Sequence, residues 1–247
     1  MATAIVTGAT SGLGIDIARR LADDGFEVIV TGRNADRGTA VADSIGEAAH
    51  FVQADLTEDG AADRVVEAAL SATGRVDVLV NNAGMDYNAP LEQAPVNEIR
   101  HLYETNGLAP VVMAQAAARQ MIEQGEGGAI INITSRLASI GVPEMSVYSS
   151  SKGILRSFTT AAAVEWSPHR IRVNSVAPGM ARTEMFSEWL GTFDDPAAKE
   201  REVSEAIPLG RVAEPADVAH AVSYLASPGA AYITGANIPV DGGYTAK

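Results

Sequence analysis

The chain opens on a strand and keeps alternating. Ala4–Thr7, Glu27–Thr31, His50–Ala54, Asp77–Asn81, Ala129–Thr134, Ile171–Val176 and Asn237–Val240 are short β-rich runs. Between them, Gly12–Asp24, Asp36–Ile45, Asp59–Thr73, Val96–Glu123, Ser146–Trp166 and Pro215–Ala226 carry helical patterns. Runs such as Val78-Leu79-Val80 are apolar on both faces, as expected where helices cover both sides of a sheet. The rhythm predicts an α/β fold: a doubly wound parallel sheet with helices on both faces. No Pro/Ser-rich linker, composition shift or short-period repeat divides the chain, so residues 1–247 are expected to form a single domain. From about Ala177 to Ile207 periodicity lapses for longer than a routine connection. Such a segment reads as a substrate loop, or alternatively as a helical insert covering the core.

Composition removes several function classes. Thirty-one acidic against 18 basic residues give a net charge of −13 with no Lys/Arg-rich run, which argues against nucleic acid as a partner. An anionic cofactor then needs a local positive site. The absence of cysteine excludes disulfides and thiolate chemistry, and His50, His101, His169 and His220 show no metal-ligand spacing, so no metal is expected. No apolar run approaches the roughly 20 residues that span a bilayer, and strand-like sequence at Thr3 leaves no room for a signal segment. A cytoplasmic location without membrane contact is the expectation.

The first strand runs into Thr7-Gly8-Ala9-Thr10-Ser11-Gly12-Leu13-Gly14 and then a helix. Glycines at a strand–helix junction let backbone N–H groups approach a pyrophosphate, where the helix dipole also favours negative charge. The spacing is Gly-x-x-x-Gly-x-Gly rather than Gly-x-Gly-x-x-Gly. After the second strand, Gly32 stands where an acid would bind the ribose hydroxyls of NAD, and Arg33 follows it. That pair favours NADP(H), with NAD(H) the alternative; a solvated loop charge is the competing explanation of Arg33.

With these features, the chain resembles the classical short-chain dehydrogenase/reductases over essentially its whole length. The residues carrying the resemblance are Gly8/Gly12/Gly14, Asp55, Asn81-Asn82-Ala83-Gly84, Asn106, Ser135, Tyr148-x-x-x-Lys152, Asn174, Pro178-Gly179, Tyr232-Ile233-Thr234-Gly235 and Asp241-Gly242-Gly243. Pro208-Leu209-Gly210-Arg211 is similar to 3-oxoacyl thioester reductases within that family. The resemblance implies a Rossmann-type dinucleotide-binding catalytic domain and hydride exchange between nicotinamide and a carbonyl or secondary alcohol. It implies cofactor contacts from Ser11, Leu13, Asp55 on adenine, Leu56, Asn82, Ala83, Gly84, Pro178, Gly179 and Thr183, and an assembly of two or four copies, a homodimer or homotetramer. Ser11 departs from the basic residue many NADP-dependent relatives carry there, and Ala181 from a common isoleucine.

Tyr148 and Lys152 are four apart on a helical pattern and so share a face. A phenol titrates near ~10, and a neighbouring ammonium favours phenolate. Lowering it by roughly 2–3 units would correspond to about 3–4 kcal/mol. Tyr148 is then the expected general acid/base, Lys152 its support and the holder of the nicotinamide ribose, and Ser135 the group that aligns the reacting oxygen. Pro110 lacks an N–H and stands four residues after Asn106, so the Asn106 carbonyl should lose its helical donor. In the resembling family this Asn supports a water linked to the lysine.

Met85, Asp86, Tyr87, Arg136, Leu137, Val142, Met145, Met180, Met185, Phe186 and Trp189 are candidates to line a substrate site suited to a partly apolar ketone or alcohol. The Ala-rich stretch Ala114–Met121 and the apolar faces of the Tyr148 helix suggest subunit packing. Two rival functions share parts of this pattern: a catalytically silent nucleotide sensor, and a sugar-nucleotide epimerase or dehydratase. Retention of Ser135, Tyr148, Lys152 and Asn106 argues against the first, and the compact chain with its glycine spacing against the second.

Overall fold

The computed structural model describes residues 1–247. Its strands are β1 (Thr3–Thr7), β2 (Glu27–Gly32), β3 (Ala49–Gln53), β4 (Val78–Asn81), β5 (Gly128–Ile133), β6 (Ile171–Pro178) and β7 (Asn237–Val240). They form one sheet in the order β3-β2-β1-β4-β5-β6-β7, with every pairing parallel. The helices are α1 (Leu13–Asp23), α2 (Ala35–Ile45), α3 (Ala61–Thr73), α4 (Val96–Tyr103), α5 (Ala109–Gln124), α6 (Ser146–Trp166), α7 (Glu184–Leu190), α8 (Pro196–Glu205) and α9 (Pro215–Ala226).

Because successive strand residues point to opposite faces, the apolar runs build two cores. Ala4, Val6, Val28, Val30, Val78 and Val80 meet Ile17 and Leu21 of α1 and Val218 and Val222 of α9. On the other face Ile5, Ile29, Leu79 and Ile130 meet Val65 of α3, Met113 and Ala117 of α5, and Ala162 of α6. The order in which strands are added across the sheet switches sides between β1 and β4, which opens a crevice beyond the strands' carboxyl ends.

One expectation needs correction and two others are refined. The helix predicted over Val96–Glu123 is not continuous: α4 ends at Tyr103, a π-helical turn occupies Glu104–Leu108, and α5 begins at Ala109. Pro110 has no N–H to offer Asn106, and the backbone accommodates this with a wider turn in which the Ala109 N–H donates to the Glu104 carbonyl. The widened turn presses Gly107 onto α6, where a Cβ would lie 2.8 Å from Ile154 Cδ1.

The small residues of the Ala114–Met121 stretch face inward. Ala114, Ala116, Ala117, Ala118 and Met121 are buried against the chain's own sheet. Small side chains there let α5 lie close to the strands. Exposed apolar residues sit instead at Leu108 and Val112 of the π turn and α5, and at Val164 of α6.

Finally, the segment 177–207 is largely helical, in line with the helical insert offered as the alternative to a loop. β6 extends to Pro178, and α7 and α8 follow. Phe186 and Leu190 pack with Ile207 and Val212 in a small separate cluster, so this part has its own core above the sheet. No helix is long and apolar enough to cross a membrane.

Candidate active site

A cavity of about 640 Å³ lies over the crevice at the carboxyl ends of the strands, with the β1–α1 glycine loop at one end and Ser135, Tyr148 and α7 at the other. Most of the residues read from the sequence line it. Gly14 and Asn106 stand behind its wall, as does Tyr87 among the proposed substrate contacts.

The glycine loop is shaped for close approach. Gly8 has φ +62°, a conformation that L side chains rarely adopt, and a Cβ there would sit 2.7 Å from Ala83 Cα. Gly14 is buried, and a Cβ would strike the Gly8 carbonyl oxygen and lie 2.7 Å from Ala9 Cα. Its role is to let α1 close onto β1. No side chain caps α1 at Gly12, leaving its first-turn N–H groups directed at the cavity, the arrangement that binds a phosphate.

Asn82, expected on the cofactor, lines the cavity, and its side-chain amide also holds the loop. Nδ2 donates to the Thr7 and Gly8 carbonyls at 2.9 and 3.1 Å, while the Thr7 hydroxyl accepts from the Asn82 and Ala83 N–H groups at 3.0 Å each. Asn81 ties the sheet as predicted, donating to Asn132 Oδ1 on β5 and to the Pro110 carbonyl, each at 3.0 Å.

At the end of β2, Gly32 is closed to any side chain: a Cβ would lie 2.7 Å from Thr10 Cγ2. An acid therefore cannot occupy that position without moving Thr10. Arg33 is exposed at the cavity edge. Its main-chain carbonyl accepts from Gln53 Nε2 at 2.9 Å, which fixes the backbone and leaves the guanidinium free of protein partners. Asp55 Oδ1 accepts from the hydroxyl and N–H of Thr57 at 2.7 and 3.0 Å. Those bonds hold its carboxyl below the usual range, so it is ionised at neutral pH.

Thr183 caps α7, its hydroxyl accepting from the Phe186 N–H, and its methyl group lies 3.6 Å from where a Gly12 Cβ would stand. The start of α7 thus arches over the phosphate loop. Pairing of Ala181 with Ala213 anchors that arch. Gly179 lets it leave β6 beside Asp241, where a Cβ would be 2.9 Å from Asp241 Cα.

Ser135, Tyr148 and Lys152 converge at the other end. Ser135, just beyond β5, is 8% exposed, and its Oγ accepts from the Leu137 N–H at 3.1 Å. Lys152 is buried on α6 and donates to the Ile133 carbonyl at 3.1 Å. Its Nζ lies 6.0 Å from the Tyr148 ring centre and 3.1 Å from the place a Cβ on Gly84 would occupy. Burial brings the Lys152 pKa down to about 8, opposed by the negative charge of Asp86.

The expected lowering of the Tyr148 pKa is not what its surroundings in the protein produce. Burial, reinforced by the Asp86 charge and opposed by the Ser135 hydroxyl, pushes the phenol up to about 12. The face shared by Tyr148 and Lys152 does not bring the ammonium close enough to outweigh the loss of water around the phenol.

Asn106 does something its sequence context did not reveal. Its side chain accepts from the Met85 N–H and donates to the Met85 carbonyl, both at 2.8 Å, and donates to Ser151 Oγ at 3.1 Å. It therefore clamps the loop after β4 to the helix that carries Tyr148 and Lys152. A buried Asn on an otherwise apolar helix face was the available signal, but its partners lie 21 and 45 residues away.

A seven-stranded parallel sheet with this glycine loop and a Ser/Tyr/Lys cluster at the crevice defines a dinucleotide-dependent oxidoreductase, and the chain belongs to the short-chain dehydrogenase/reductase family. The family model described as enoyl-(acyl carrier protein) reductase matches residues 8–245. The chain is 38% identical to a diacetyl reductase [(S)-acetoin forming] of Staphylococcus epidermidis, over 98% of this chain and 97% of the relative. It is 34% identical to an NADP-dependent (R)-specific alcohol dehydrogenase of Lentilactobacillus kefiri, over 99% of this chain and 96% of the relative. The crystal structure of a short-chain type dehydrogenase/reductase from Mycobacterium marinum superposes with a TM-score of 0.92 at 35% identity, covering 100% of this chain and 96% of that one. The chain is accordingly an oxidoreductase acting on alcohol and carbonyl groups with NAD(P).

Proposed function

We propose that the chain is an NADP(H)-dependent ketone reductase and secondary-alcohol dehydrogenase in which Tyr148 is the proton donor and acceptor. The observation that carries this reading is the meeting of Ser135, Tyr148 and Lys152 in the cavity that the glycine loop also lines. When bound, the dinucleotide supplies the hydride in reduction and takes it up in oxidation. Gly8, Gly12 and the uncapped start of α1 suit its pyrophosphate, and Gly84 and Lys152 suit its nicotinamide ribose. Arg33, beside a Gly32 that Thr10 keeps free of a side chain, supports selection of a 2′-phosphate.

A phenol at about 12 is fully protonated at neutral pH and so is poised to donate. As the substrate carbon is reduced, its oxygen takes the Tyr148 proton, guided by a hydrogen bond from Ser135. The Lys152 ammonium stabilises the phenolate left behind. In oxidation the same path runs in reverse, with Tyr148 accepting the alcohol proton.

The test is a panel of ketones and secondary alcohols assayed against NADPH, NADH and their oxidised forms, with Tyr148→Phe alongside. Turnover with NADPH that falls at least about 100-fold in the variant is expected. Equal turnover by the variant would sink the mechanism; cofactor binding without turnover of any substrate would make the chain a nucleotide sensor.

A further inference from the structure

The substrate end of the cavity contains a cation with no hydrogen-bond acceptor or carboxylate from the protein. Arg136 follows Ser135 directly, in a short 3-10 turn that Ser135 Oγ caps. Its guanidinium lies over the Tyr244 ring, with Cζ 4.0 Å from the ring centre. It is half-buried and lines the cavity. Its side chain donates to no acceptor in the chain and has no carboxylate within ion-pairing distance.

Asp241, the acid whose charge reaches Arg136, is otherwise engaged. It accepts from the N–H groups of Gly243 and Thr245 and from the Thr245 hydroxyl, and so holds the turn that presents Tyr244. Asp86, also on the cavity wall, accepts from the Tyr87 N–H. Its charge is felt by Tyr148 and Lys152. Burial pulls the Arg136 pKa down from its ordinary value, and because a guanidinium keeps its proton in proteins the group is a charge in a partly dehydrated setting.

Much of the cavity wall supplied by α7 is apolar, interleaved with Glu188 and with Glu184, which pairs with Arg37. Met180, Met185, Phe186 and Trp189 border the same cavity, with the last two rings stacked at 5.8 Å. With the Tyr244 ring on one side of it, the guanidinium has an N–H edge that no acceptor in the chain takes. That edge matches the two oxygens of one carboxylate, and partial dehydration strengthens such a bond. A single guanidinium also suits a monoanion better than a phosphate dianion, which would call for further donors.

We infer that Arg136 is a specificity-determining residue that receives a substrate carboxylate, making the preferred substrates oxo acids and hydroxy acids with an apolar body. This rests on the proposed carbonyl chemistry at Tyr148, because Arg136 is placed to orient a substrate whose carbonyl sits at Ser135. The negative charge at Asp86 favours the same orientation, with the carboxylate at Arg136 and away from the acid.

The experiment uses 2-oxo-4-phenylbutanoate, 4-oxo-4-phenylbutanoate and 5-oxo-5-phenylpentanoate, each against its methyl ester, with NADPH and the whole chain. In the wild type, kcat/KM for at least one acid should exceed that of its ester by about 10- to 100-fold, mainly through KM. Arg136→Met should collapse that ratio to one or below, and Arg136→Lys should restore part of it. Acids no better than esters in the wild type would overturn the inference. So would an acid-to-ester ratio unchanged in Arg136→Met, the mark of a merely structural role beneath Tyr244.

Binding is read independently of turnover from quenching of Trp189 fluorescence, with Trp189→Phe as control for Trp166. An enzyme that binds the acids over the esters through Arg136 but reduces none would refute the catalytic reading and uphold the anion site. Equal binding of acids and esters would refute the anion site alone.

Discussion

Replacing Lys152 by Met separates what this residue does for the chemistry from what it does to the fold. Burial lowers its pKa from 10.5 to about 8, so carrying the ammonium into the folded state at pH 7 costs about 3 kcal/mol. Methionine removes that cost but leaves the Ile133 carbonyl without its donor, a loss of about 1–2 kcal/mol. Lys152→Met should therefore be about 1–2 kcal/mol more stable than the wild type at pH 7 while losing most activity.

The pH dependence gives the sharper discrimination. Below about 8 the lysine is protonated in both states and the full cost applies. Between about 8 and 10.5 the unfolded chain holds a proton that the folded chain has released, so wild-type stability rises with pH. Between pH 7 and pH 9.5 the variant's advantage should shrink by about 2 kcal/mol. Urea unfolding at each pH, followed by tryptophan fluorescence, measures the difference. A stability difference that is constant over this range would refute the assignment of a strongly depressed lysine.

The same ionisation should appear in kinetics: kcat/KM for NADPH, which reports the cofactor-free enzyme, should fall above about pH 8 as Lys152 loses its charge. Arg33→Ala should raise KM for NADPH about 10- to 100-fold while changing KM for NADH little; equal effects on both would remove Arg33 from the 2′-phosphate site. Asn106→Ala should lower stability by about 2–3 kcal/mol through loss of its Met85 and Ser151 bonds, measured by thermal or urea unfolding. An Asn106→Ala protein as stable as the wild type would mean that the clamp carries no weight.

Much of this could be read from local patterns. Seven apolar strands separated by amphipathic helices demand a covered parallel sheet, whatever their order, and β7 and α6 begin and end where their residues alone predict. Gly8 and Gly12 lie in the left-handed region and Tyr148 and Lys152 share one helix, properties that depend on neighbours in sequence. For that reason the glycine loop, the reacting trio and their order along the chain were legible.

What only the tertiary structure decided depends on groups far apart in the chain. The Asn106 clamp joins three elements, the closure of Gly32 comes from Thr10, and the absence of an acceptor for Arg136 follows from where Tyr244 and Asp241 stand. Even the sign of the Tyr148 shift was set this way. Helical spacing places an ammonium on the same face as the phenol, but how much water the surrounding protein excludes determines which effect prevails, and exclusion of water belongs to the packed fold.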